Sequence, residues 1–508
     1  MKQKFVNFFE TTGLTWFVPF TKLICGDSPR EQLKDIARMW GLPILGLTVF
    51  FMVWGYLSTF IKTSSGQLPS PSLVWNQTKV LWSDYKGQKI KKEEFLKAEE
   101  IRREIDTLLQ KRRQLEKDGK SQEAAIVTDQ LLKVQVKINQ TVSEYDSLAK
   151  KYSGIKAEAE KEKQAEIDAV KQKYIDAKLF EYDEKGEVML GADGKPKLIT
   201  KAIDEIKFKE SLSVASRAEI LARVYKESSS YLDKYSRAIS KIEDKIAETK
   251  KLQAGEISPQ IQKKIDFNAK MIEKTESSLS NPTAYSGSPT IVDCVKLSLT
   301  TVCFGFFLAA LIGIPLGVLC GLSPAFATSS NPIIQICRPV SPLVWVLIMI
   351  QIVDGIFIGD YALEGDILKN SFLQAGFTVT LCSLWATLSN TALGVSSVDP
   401  DHMNVAKVLK LSWFDRVFKI IIPSSAPYIF TGLRITLGIG WMVLIVSEMI
   451  ASSQGLGWII DVFYQNGTVR DMAKIITCLF IIGIIGFVLD RVMFTLQKLV
   501  TFSDEVSA

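Results

Sequence analysis

The stretch DPDHMNVAKVLKLSWFDRVFKIIIP, residues 399–423, decides how the rest of the chain is read. It carries Lys407, Lys410, Arg416 and Lys419 and lies between the uncharged run Asn370 to Val398 and the apolar run that opens after Pro423. Apolar runs of about 20 residues cross a bilayer, and a short basic loop between two of them faces the cytoplasm.

Working outward, the same test finds further spans. Met39 to Ile61 is uncharged and bounded by Arg38 and Lys62. It is too long for a signal-peptide core and reads as a retained anchor. Leu297 to Cys337 and Pro339 to Val353 are separated only by Arg338. Six helices are expected, near 39–62, 295–322, 327–353, 370–397, 426–450 and 474–497. Lys22, Arg30, Lys34 and Arg38 place the N-terminal side of the first span in the cytoplasm with the 399–424 loop. An even number of crossings joins the two loops, so these assignments agree.

Composition sets another segment apart. Residues 88–280 hold 40 of the 61 Lys+Arg and 36 of the 55 Asp+Glu, and none of the ten Trp or seven Cys. A membrane protein is interrupted by a water-soluble one. Lying after an odd number of crossings, the charged block belongs outside the cytoplasm. The net charge of +6, spread this way, implies no nucleic-acid partner.

Within the block, Leu131, Val134, Ile138, Tyr145, Leu148, Tyr152 and Ile155 mark a seam at steps of three and four. Leu221, Tyr225, Leu232, Tyr235, Ile239, Ile242 and Ile246 mark a second. Gly186, Gly191, Gly194 and Pro196 supply turn chemistry between them, so a β-hairpin tip is expected near 179–200. The chain is expected to go out along one helix and back along the other as an antiparallel coiled coil over 88–281. Gly119, Gly154 and Pro259 are candidate breaks that would make it a bent hairpin or a bundle instead. Its role reads as a spacer, a docking surface or a sensor.

The spacing Asn404-Val405-Ala406, three residues, Lys410, nine residues, then Ile420-Ile421-Ile422-Pro423 resembles the E-A-A-x(3)-G-x(9)-I-x-L-P loop of binding-protein-dependent ABC importer permeases. Asn404, Val405 and Lys410 depart from the usual Glu, Ala and Gly; Ala406, Ile420 and Pro423 keep the pattern. The flanks SLTTVCFGFFLAALIGIPLGVLCGLSP, RPVSPLVWVLI and PYIFTGLRITLGIGWMVLIVSEMIASSQGLG resemble the nitrate, sulfonate and taurine permeases, nearest the nitrate/nitrite branch. Gly432, Arg434, Trp441 and Glu448 form the family core block. The resemblance covers 286–502 well and Leu68 to Trp82 weakly.

That resemblance implies an all-α polytopic membrane protein of the type I ABC importer permease fold. Its 399–424 loop would dock a separate ATPase through Asn404, Val405, Ala406, Lys410, Ile420, Ile422 and Pro423, with a rigid helix from Met403 to Leu411. Further partners are an extracytoplasmic solute-binding protein and a second permease subunit, expected as a homodimer in the inner membrane. A nitrate-like anion is the favoured solute and a sulfonate or taurine the next. The chain has no G-x-x-x-x-G-K-[ST] phosphate loop, so ATP hydrolysis is expected elsewhere. His402 is the single His and the Cys show no C-x-x-C pair, so no metal, cofactor or catalytic residue is assigned. An envelope scaffold or sensor, with the coil as its working part, is the alternative.

Three further features have two readings each. Arg434 inside a span serves an anion pathway, or it snorkels or pairs locally. Glu448 lies ~21 Å further along the helix, too far to be its partner, and is expected at the outer interface. Gly313, Gly317 and Gly321 pack helices within the chain or between subunits. Residues 1–38 mix Phe, Trp and Lys as an interfacial cytoplasmic segment does, and 63–87, with Trp75 and Trp82, reads as the outer interfacial segment.

Overall fold

The computed structural model describes residues 6, 9, 17–24, 29–63, 66–177, 179–180, 189, 206, 216–254, 258–280, 287–356 and 370–500. Two compact units divide the chain, residues 1–77 with 291–508 and residues 78–290.

The first unit holds the apolar helices. After α1 (Val18–Ile24) and α2 (Pro29–Ile36), a π turn at Ala37–Gly41 leads into α3 (Leu42–Phe60). The rings of Phe17 and Phe20 pack 5.2 and 5.4 Å from that of Trp40. Nearly all of α3 is exposed in this single chain, as lipid-facing surface would be. Trp54 anchors it, donating Nε1–H to the carbonyl of Pro69 at 3.1 Å and standing 6.1 Å from the Phe480 ring. A two-residue ribbon follows, β1 (Lys62–Thr63) against β2 (Gly66–Gln67), and then α4 (Pro71–Lys117), which runs on into the second unit.

Among the described residues, five helices of the unit are long and apolar enough to cross a membrane, or six if a bent pair counts as one span. The bent pair corrects an expectation. The straight span near 327–353 is two helices, 324–337 and 342–356, bent by 100°. The break falls at Arg338-Pro-Val-Ser-Pro342, where neither Pro has an N–H to carry the helical hydrogen bonds onward.

The centre of this unit is built by small residues. The long helix 291–322 packs on 370–396, which packs on 422–450. A Cβ at Gly317 would lie 2.6 Å from Thr391 Cβ and 2.7 Å from the carbonyl of Leu388, and one at Gly321 would lie 2.5 Å from Val395. Gly313, Gly317 and Gly321 therefore bring helices together within this chain. Gly432 does the same, with Asn390 Cβ 2.9 Å from where its own would stand. A hydroxyl ladder reinforces the contact. Thr436 Oγ1 donates to the carbonyl of Ser383 at 3.0 Å and accepts from the amide of Thr387 at 3.1 Å.

The second unit is a four-helix bundle made of α4 from Thr78 onward, α5 (Ser121–Asp176), α6 (Ser216–Gln253) and α7 (Pro259–Ser280). Gly119, at φ +72°, reverses the chain between α4 and α5. The pairs Lys156–Glu219, Asp146–Ser229 and Asn139–Ser236 run in opposite order along α5 and α6. Arg112 meets Glu276 at 2.6 Å, tying α4 to α7. The topology is up, down, up, down, with a core of Ala98, Ile105, Leu109, Leu131, Val134, Ile138, Leu232, Tyr235, Ile239 and Ile242.

The single outgoing helix of the sequence reading is thus two helices, and Gly154 interrupts neither. Because the chain turns at Gly119, α5 ends and α6 begins at the end of the bundle where α4 enters it. The hairpin expected near 179–200 lies outside the described residues apart from residues 179, 180 and 189. Of the expected seams, Leu131, Val134, Ile138, Leu221, Leu232, Tyr235, Ile239 and Ile242 are buried. Tyr145, Leu148, Tyr152, Tyr225 and Ile246 are half-buried, whereas Ile155 is exposed. A straight α-helix drifts ~20° per heptad, which over the 24 positions from Leu131 carries Ile155 off the seam.

Candidate functional site

The basic loop folds into a short helix with chemically defined ends, 400–408. Pro400 opens it and Asp399 caps it, its carboxylate accepting the amide of Asp401 at 2.9 Å. At the other end the amide of Leu411 donates to the carbonyl of Ala406 at 3.1 Å. Lys410 sits between them at φ +48°, the left-handed position at which such helix ends favour Gly. The helix ends at Val408, three residues before the expected Leu411.

Ala406 is fully buried on this helix, which packs against the π turn 417–421. Asn404 and Lys410 are exposed, and the side chain of Val405 lies outside the described ones. Ser412 restarts the helix, accepting the amide of Asp415 at 3.2 Å, and Asp415 pairs with Lys419 at 2.6 Å. Ile421 is buried with Val318, Val395 and Val417; Ile420 and Ile422 are half-buried, and Pro423 lies in the first turn of the helix 422–450. Val408, Leu409, Trp413, Phe414 and Phe418 are left exposed.

Upward along the same helix the core block reaches its partners. Arg434 forms a two-pronged pair with Asp490, Nε to Oδ1 at 2.6 Å and Nη2 to Oδ2 at 2.9 Å, and lies 5.3 Å over the Phe494 ring. Arg491 adds a 3.1 Å contact to the same carboxylate. Trp441 donates Nε1–H to the carbonyl of Ile482 at 3.1 Å. Arg434 and Trp441 thus both fasten this helix to the last one, 469–500.

Glu448 is fully buried within the chain. Ser298 Oγ lies 2.8 and 2.9 Å from its two carboxylate oxygens, and the amide of Gly457 donates to it at 3.0 Å. The amide of Leu456 donates to Ser298 Oγ at 2.8 Å. The carboxylate therefore closes the positive end of the helix 456–466. Gly455 leaves the room it needs, since a Cβ there would fall 2.2 Å from the carboxylate carbon.

The inner membrane component of binding-protein-dependent transport systems matches residues 313–501 as a family. The nitrate import permease NrtB of Synechococcus elongatus is 33% identical over 207 residues, covering 41% of this chain and 69% of that protein. This chain belongs to the binding-protein-dependent ABC importer permeases of the nitrate, sulfonate and taurine group. The bicarbonate permease CmpB of Synechocystis is 39% identical, covering 40% of this permease and 66% of its own length. The taurine permease TauC of Escherichia coli is 32% identical, covering 40% and 68%. The permease spans about two thirds of the length of these relatives.

Sequence reasoning about this permease missed the partners of its core block. Asp490 is 56 residues from Arg434, and Ser298 is 150 from Glu448. The glycines at 455 and 457, close after a lone acid in an apolar run, were the available signal for the second.

Proposed function

We propose that this permease carries a small planar monoanion, nitrate or bicarbonate, into the cytoplasm. The observation that supports this is the likeness of one core to nitrate and bicarbonate permeases alike, at 33% and 39% identity. The two anions share a trigonal-planar shape and one negative charge. A sulfonate or taurine is the second reading, favoured by the likeness to TauC. The scaffold alternative has no support among these relatives.

In this reading an extracytoplasmic binding protein delivers the anion, and two copies of the permease form its path by alternating access. The helix 400–408, held at both ends, is the rigid knob that receives the closure of ATPase subunits. Val408, Leu409, Trp413, Phe414 and Phe418 supply apolar contact, with the loop lysines around them. The bundle lies on the extracytoplasmic side, where the charge bias of the flanking loops puts it. Uptake of labelled nitrate and bicarbonate, with and without this chain, is the test. One of them falls to background when the chain is absent. Dependence of taurine uptake alone on the chain defeats the planar-anion reading.

A further inference from the structure

The first turns of α4 in the bundle unit present an exposed face. Lys79, Trp82, Lys86 and Lys89 follow at steps of three and four and so share one side of the helix. All four are exposed, Trp82 at 54%. The back of the same turns is committed elsewhere. Leu81 and Gln88 are buried, and Gly87 faces Ile220 so closely that a Cβ would fall 2.0 Å from its methyl group.

The chemistry of the face is that of a membrane boundary. Lys86 Nζ stands 5.7 Å from the centre of the Trp82 ring, and the Tyr85 ring lies 5.3 Å from it. Aromatic rings with a polar edge, interleaved with long cationic side chains, suit the headgroup level. Asp84, two residues from Trp82, falls on the other side of the helix. Along this helix the next carboxylate on the same side is Glu93, 4.0 Å from Lys89. Thr78 follows directly on the last residue of the membrane unit, and Lys79 to Lys89 covers ~15 Å of helix.

We propose that the face formed by Lys79, Trp82, Lys86 and Lys89 binds the anionic headgroups of membrane phospholipid. The three ammonium groups take phosphate oxygens, and the Trp82 ring sits beside the glycerol. An acidic protein surface would meet the lysines but leave the exposed indole against polar groups, which is why lipid is favoured.

Native mass spectrometry of the full chain in detergent, titrated with phosphatidylglycerol and separately with phosphatidylcholine, tests this. The wild type retains phosphatidylglycerol in preference. Lys79→Gln, Lys86→Gln and Lys89→Gln together weaken the tightest phosphatidylglycerol site by about fivefold for each lysine removed. Phosphatidylcholine adducts do not change, and the corresponding triple Arg variant keeps the preference. Equal phosphatidylglycerol binding by wild type and the triple Gln variant overturns the proposal, and is the result expected if an acidic protein covers the face. Equal binding of the two lipids by the wild type overturns it as well.

Discussion

The membrane unit and the bundle are both packed helices, yet what lies between the helices is opposite in kind. In the bundle it is mainly large side chains, Ile105, Leu131, Ile138, Leu232, Tyr235 and Ile239, with a few buried ion pairs such as Arg112 with Glu276 beside them. In the membrane unit it is glycine and hydroxyl groups, with Ser298, Thr301, Thr378, Ser383, Thr387, Thr391 and Thr436 all fully buried. Many of its large apolar residues, Phe307, Leu347, Met442 and Ile484 among them, are exposed, while Phe372, Leu384, Ile421 and Leu444 are buried. Water drives the bundle together by burying apolar area, about 1.5–3 kcal/mol for a full Leu or Ile side chain. Lipid gives no such force, so close approach and hydrogen bonds hold the membrane helices. One chain uses both solutions because it lives in both solvents.

Breaking that contrast in the bundle gives the largest expected effect. Ile239→Ala removes a fully buried side chain and costs the bundle about 4 kcal/mol. Hydrogen exchange of the full chain reads this as lost protection in α5 and α6, with the helix 370–396 unchanged. The converse break is Gly317→Leu, worth about 3 kcal/mol because even its Cβ has no room against Thr391. Here the loss of protection falls on 291–322 and 370–396, uptake fails, and the bundle keeps its exchange pattern. If either variant loosened both units equally, the two would not be separate packing problems.

Smaller changes sharpen the comparison. Glu448→Ala leaves the Ser298 hydroxyl and the Gly457 amide without their acceptor, about 2 kcal/mol. Thermal unfolding in detergent should fall, with Glu448→Gln less affected because it keeps an acceptor oxygen. In the bundle, the hydrogen bond and charge of Arg102 hold the Glu99 carboxyl below its ordinary range, against the opposing effect of burial. A carboxyl lowered by folding stabilises above its unfolded pKa, near 4.3, and loses that contribution as pH falls through its folded value. Glu99→Gln should therefore cost about 1.5 kcal/mol at pH 7 and progressively less below about pH 4, read as exchange in α4. Last comes Lys410→Gly, which relieves a left-handed residue and should raise stability by about 1 kcal/mol in the same melting assay.

Sequence pattern carried the division into units because charge and Trp are distributed so unevenly, and it carried the long spans because lipid demands uninterrupted apolar runs. It placed the unit boundary about ten residues inside the observed one at each end, since α4 from Thr78 and the residues up to Thr290 belong to the bundle unit before composition changes. Periodicity found the faces of α5 and α6 but missed α4, whose Ala98, Ile105 and Leu109 are spread among Lys and Glu. It also could not say which glycine turns the chain. Gly119 and Gly154 look alike as letters, and only a core that needs α4 beside α5 selects the first. Long-range pairs such as Arg434 with Asp490 were illegible because nothing local to either residue specifies the other.

The even number of helices in the bundle has an evolutionary consequence. A segment that climbs and descends twice hands the chain back travelling opposite to the way it left, so to the surrounding protein it behaves as a long loop. Closing a longer loop costs only about 0.6 kcal/mol per doubling of length. A lineage could therefore acquire, exchange or discard such a cassette without redrawing the helices on either side of it.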